Sequence, residues 1–133
     1  MRYIWILCLL CLGLAANKCR SKKDVQEALL QKTWLHSHEE DQGEIRVYRP
    51  NTYDFPPSRG RTGFTFEPNG VFKQYDIAPT DGLEEHLGKW EIVKDDLIRI
   101  SFSEKNVPGY EIKIEAVEDD VLKIKRRFKE QTQ

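Results

Sequence analysis

At 133 residues with a net charge of −1, the chain has the size of one domain, and its near-neutral charge argues against a general nucleic-acid or anionic-membrane binder. All of its cysteines, Cys8, Cys11 and Cys19, fall within the first nineteen residues. The rest therefore has neither an internal disulfide nor a thiolate metal site, and its stability must come from packing and hydrogen bonding.

Met1-Arg2-Tyr3 is a short basic start, Ile4 to Ala16 is an uninterrupted apolar run, and charge returns at Lys18. This is the layout of a signal peptide over residues 1–19. The run is shorter than the roughly 20 residues that cross a bilayer as a permanent helix. Two processing routes are open. Gly13-Leu14-Ala15 and Leu14-Ala15-Ala16 suit ordinary cleavage, whereas Cys19 followed by Arg-Ser-Lys-Lys-Asp resembles the start of a mature bacterial lipoprotein, with Cys19 carrying the lipid. Either route gives an exported protein, periplasmic, tethered to the outer membrane or secreted.

Residues 20–31 read as a tether and one short helix. Ser21 to Asp24 has the spacing of a capping box, and good helix formers follow to about residue 31. From Lys32 the period changes to two, which marks residues 32–128 as β structure and residues 129–133 as a polar tail. Thr33–His38 places Trp34, His36 and His38 on one face and Leu35 and Ser37 on the other. A polar turn at Glu39–Gly43 leads to a strand over Glu44–Arg49. Pro50–Gly60 holds Pro50, Pro56 and Pro57 but also Tyr53 and Phe55, so it reads as a loop folded back over something apolar.

Arg61–Phe66 and Val71–Ile77 are strands joined by Glu67-Pro68-Asn69-Gly70, which suits a type I turn ending in a left-handed glycine. His86–Val93 and Leu97–Phe102 form a hairpin about Lys94-Asp95-Asp96. The strand Tyr110–Val117 turns Tyr110, Ile112, Ile114 and Ala116 inward, and Val121–Phe128 turns Leu122, Ile124, Arg126 and Phe128 to one side. Eight short strands joined mostly by tight turns predict an all-β fold, an eight-stranded antiparallel up-and-down barrel preceded by one short helix. Closure removes both exposed edges. A strongly curved sandwich is the alternative.

The Trp after a short helix (Leu30-Gln31-Lys32-Thr33-Trp34), the eight strands and the Arg on the last strand resemble the small bacterial lipocalin-like domain proteins, a branch of the calycin-type barrels. The run from Glu39-Glu40 through Val47-Tyr48-Arg49-Pro50 to Pro56-Pro57-Ser58-Arg59-Gly60-Arg61-Thr62-Gly63-Phe64 is similar to an uncharacterised subgroup. The resemblance implies that Trp34 and Arg126 pack together to close one barrel end, and it leaves Trp90 as an interior wall residue.

Three constellations could carry function. Arg49, Arg59 and Arg61, with Arg46, Ser58 and the Gly60 amide nearby, could meet at a rim and hold a carboxylate or phosphate head; alternatively they pair with Asp54, Glu67 or Asp76 and pin the Pro-rich loop. Phe64, Phe66, Trp90, Phe102 and Tyr110, with Trp34 and Phe128, could line an apolar pocket or simply fill the core. His36, His38 and His86 could form a Zn²⁺ triad or be ordinary packed and solvated histidines.

The acidic pairs Glu39-Glu40, Glu84-Glu85, Asp95-Asp96 and Asp119-Asp120 fall mostly in turns and read as solvated. No nucleophile motif is present and no cofactor is called for. The expected function is binding of a small hydrophobic or amphipathic molecule, with a structural or protein-interaction barrel as the alternative.

Overall fold

Strict alternation of apolar and polar residues from Thr33 onward forces one face of every strand toward a common interior. The computed structural model describes residues 22–30, 32–80 and 82–128. The expected leader with Cys19, the Ser21 cap and the polar tail lie outside them. Helix α1 (Lys22–Leu29) precedes β1 (Thr33–His36), β2 (Arg46–Pro50), β3 (Gly63–Phe66), β4 (Val71–Ile77), β5 (Leu83–Lys94), β6 (Leu97–Phe102), β7 (Tyr110–Val117) and β8 (Leu122–Phe128).

The strands close into an eight-stranded antiparallel barrel, as the pattern predicts. From β3 to β8 it is an uninterrupted meander, but the up-and-down order fails at the start. β1 lies between β2 and β3, and β2 closes the barrel against β8. Strands β2 and β3 therefore run the same way, and residues 51–62 must cross back along β1 to join them. A pair of parallel strands admits no tight turn, which is why this connection is long where most others are short. At Gly63 a side chain would collide with the Trp34 carbonyl and with Leu35; only glycine lets β1 and β3 lie so close.

Several boundaries shift for local reasons. β1 stops at His36; the buried Ser37 donates its hydroxyl to Glu40 at 2.8 Å, and a 3-10 turn occupies His38–Glu40. His38 is thus exposed and does not continue the Trp34–His36 face. A bulge between Ile114 and Ala116 puts Val117, rather than Ala116, in the core, since one extra residue reverses the facing of everything after it. The Glu67–Gly70 turn forms as expected: Gly70 has φ 81 and its amide donates to the Glu67 carbonyl at 3.2 Å.

The barrel interior is a continuous stack of rings. Tyr48, Phe64, Phe66, Phe72 and Trp90 follow one another at centroid distances of 4.6 to 5.6 Å, flanked by buried Ile98, Ile100, Ile112, Leu122 and Ile124. Ring pairs at these offsets add to the area they bury.

The two ends differ. At one, α1 buries Val25 and Leu29, the Trp34 indole donates to the Leu29 carbonyl (3.2 Å), and the Trp90 indole donates to the Glu67 carbonyl (2.9 Å). At the other, the inward positions of the strands turn polar.

Candidate functional site

Of the arginines expected at a rim, Arg49 and Arg61 lie under the crossing segment, whereas Arg46 and Arg59 are exposed. Arg49 faces outward beside Leu35, and Arg61 lies just before β3. The crossing segment 51–62 folds over them as a strap. Tyr53 and Phe55 contact each other at 5.0 Å, the Arg49 guanidinium lies 4.8 Å over Tyr53, and that of Arg61 lies 4.5 Å over Phe55. Both forks are already filled: Arg49 donates to the two Glu40 oxygens at 2.9 and 2.7 Å, and Arg61 to the two Glu39 oxygens at 2.9 and 2.6 Å. Arg61 also donates to the carbonyls of His36 and Pro56.

The strap is thus pinned by ion pairs, but with partners other than Asp54, Glu67 or Asp76; Glu67 instead pairs with Lys73. Glu39 and Glu40 are not merely solvated. Hydrogen bonds from Arg61 and Arg49, respectively, hold each carboxyl down to about 2. Arg59 is exposed beside Ser58, whose hydroxyl donates to the Gly60 carbonyl.

Phe64, Phe66 and Trp90 belong to the packed ring stack and Phe102 lies at its margin. The geometry is that of a filled core, with Trp90 and Phe102 reaching surface clefts of about 420 and 410 Å³ at its margin.

The His36 and His38 rings are neighbours, with 6.1 Å between centroids, and His86 lies on another strand. His36 stacks on Tyr48 at 5.1 Å and its Nε2 lies 2.8 Å from Asp41; burial lowers its pKa, with Asp41 opposing and the charges of Arg46 and Arg126 adding. His38 projects to solvent, and His86 sits on β5 among acids. Among the described residues no group of three or more His, Cys, Asp or Glu could hold a metal ion.

Trp34 and Arg126 do not form the closing pair that the resemblance implies. The cation over the Trp34 ring is Lys32, at 5.5 Å, while Arg126 lies over Tyr110 at 4.9 Å. Register explains the separation: Leu122 pairs with Tyr48 near the closed end, and Arg126 is four residues further along β8, roughly 13 Å away at 3.3 Å per residue.

That displacement places Arg126 at the open mouth, in a cleft of about 440 Å³ lined by Gln74, Asp76, His86, Glu104, Tyr110 and Phe128 among others. A chain of contacts crosses it. Arg126 Nη2 donates to the Tyr48 hydroxyl (2.9 Å); the Tyr110 hydroxyl donates to Gln74 Oε1 (2.7 Å), and Gln74 Nε2 donates to Asp76 (2.8 Å). His86 follows, 3.6 Å from Asp76 and 3.4 Å from Glu104. Burial pushes the Tyr110 phenol up, so it remains a donor.

Arg126 differs from the strap arginines. It makes no ion pair among the described residues, and its Nε is buried with no hydrogen-bond partner. Of the mouth residues, the sequence marks Tyr110 and Phe128 as possible pocket lining, His86 as a possible metal ligand and Arg126 as a closing residue, but not Gln74, Asp76 or Glu104. Gln74 and Asp76 nevertheless share the inward parity of Phe72, and polar residues on an inward face at a strand's end are the signature of an open barrel mouth. No protein-family model, curated protein or solved structure matches the chain.

Proposed function

We propose that this barrel binds a small amphipathic molecule at its open mouth, with an acidic group on Arg126 and apolar surface along Tyr110, Val107, Pro108 and Phe128. The observation that carries this reading is Arg126 itself, a half-buried guanidinium held by a phenol and a ring and without a carboxylate partner among the described residues. Leaving donors of a charged group unmet beneath the surface is costly, and a ligand carboxylate would meet them with charge-assisted bonds. Filling of the interior by aromatic rings moves the expected ligand seat from the barrel's middle to its mouth. The leader expected at residues 1–19 makes the setting an exported one, with lipid on Cys19 as one form; mass spectrometry of the native N-terminus distinguishes the two routes.

The test is titration with n-hexanoate followed by two-dimensional NMR. Shifts confined to Gln74, Tyr110, Arg126 and Phe128, and lost in Arg126→Gln, support mouth binding. Shifts at the strap, or none at millimolar concentration, remove it.

A second reading has its own observation. Ile77, Leu83 and Leu87 are exposed on the outer face of β4 and β5, Leu83 at 62% and Leu87 at 55%. Together with the packed interior, this suits an envelope barrel that contacts another protein. Retention of a partner by the wild type but not by Leu83→Lys/Leu87→Lys would favour it.

A further inference from the structure

We infer that the molecule held at the mouth is a zwitterion, with a carboxylate and an ammonium separated by a short apolar stem; this rests on the mouth-binding reading above. The cleft contains opposite charges that have not neutralised one another. Arg126 stands on one side, and Asp76 with Glu104 on the other, and among the described residues no ion pair joins Arg126 to either acid. What keeps them apart is a neutral spacer. Tyr110 and Gln74 lie between, locked in orientation because the phenol donates to the amide oxygen and the amide nitrogen donates to Asp76. The spacer touches both poles, since Arg126 lies 4.9 Å over the Tyr110 ring and the Tyr110 hydroxyl reaches Asp76 through Gln74.

A ligand bearing only an acid would satisfy Arg126 and bring a like charge toward Asp76 and Glu104. An amine alone would do the reverse. A molecule charged at both ends meets each pole with its complement, and its stem has a surface to follow, since the Tyr110 ring lies under Arg126 at 4.9 Å and Phe128 stands 5.7 Å from Tyr110. His86 between Asp76, Glu84 and Glu104 favours the same polarity, because the acids around it outnumber the one imidazole.

The experiment titrates the protein, residues 20–133, with linear ω-amino carboxylates from 4-aminobutanoate to 8-aminooctanoate. Each is matched against the n-alkanoate and the n-alkylamine of equal chain length, by calorimetry at low salt. At least one amino acid should bind about ten-fold or more tightly than both of its singly charged counterparts, the scale of one charge-assisted contact. Arg126→Gln should bring that amino acid down to the level of the amine, and Asp76→Asn down to the level of the alkanoate.

If alkanoates bind at the mouth as tightly as the amino acids, the zwitterion inference is overturned while mouth binding stands. If neither amino acids nor alkanoates bind, both fall. Preference for amines alone, unchanged by Arg126→Gln, also overturns the inference.

Discussion

The strap and the mouth use the same side chain to different ends. Arg49 and Arg61 lie outside the barrel, each with an aromatic ring on one face and a carboxylate across both prongs. Arg126 has the ring but, among the described residues, no carboxylate. A guanidinium whose fork is filled from within the chain serves to hold a segment in place; one left open under a protein rim is available to something else. The contrast extends to the barrel ends, one sealed by apolar packing against α1 and the other lined by separated charges.

The largest effect expected is at the sealed end. Trp34→Ala removes a fully buried ring together with its bond to the Leu29 carbonyl and should cost about 3–5 kcal/mol in urea unfolding. A cost below about 1 kcal/mol would mean that the end is not sealed as described.

The strap comes next. Arg61→Ala forfeits bonds to Glu39 and to the His36 and Pro56 carbonyls and should lower stability by about 2 kcal/mol. It should also raise the rate of proteolytic cleavage within residues 51–62.

Acid should loosen the same region. Glu39 and Glu40 have folded-state values of about 2, below their ordinary 4.5. A depressed carboxyl contributes stability that is fully present above its unfolded value and is lost as pH falls through the folded one. The urea midpoint should therefore drop between pH 4.5 and 2, with a shallower slope in Glu39→Gln/Glu40→Gln. An unchanged slope in that variant would assign acid sensitivity to other groups, His36 included, whose lowered pKa acts in the same direction at higher pH.

The smallest effect on stability belongs to the mouth. Arg126→Met removes a charge that no carboxylate among the described residues balances, so stability should change by less than about 1 kcal/mol. A loss above about 2 kcal/mol would make Arg126 a structural residue and erase the contrast with the strap.

Periodicity was enough for most of the framework. The strands Val71–Ile77, Leu97–Phe102 and Tyr110–Val117 lie where alternation places them, because a half-buried strand writes its facing into every second residue. It could not show the bulge beyond Ile114, since one extra residue leaves no mark on composition. The place of β1 between β2 and β3 was also hidden, because alternation fixes which face is buried but not which strand lies alongside. The Glu39–Arg61 and Glu40–Arg49 pairs escaped for a related reason: the acids sit in a turn, where the crossing of residues 51–62 brings Arg61 to Glu39 and the pairing of β2 with β1 brings Arg49 to Glu40. Arg126 was legible as inward-facing, and its distance from Trp34 was not.

By itself, then, the sequence determined an all-β chain with one helix in front, most of the inward set of side chains and the disulfide-free character of residues 20–133, because these follow from local chemistry and the two-residue period. Strand order, the filling of the interior and the division of the arginines into closed and open forks were decided only by the tertiary structure. Each depends on which residues distant in the chain meet across the barrel, and closing a barrel couples all eight strands at once.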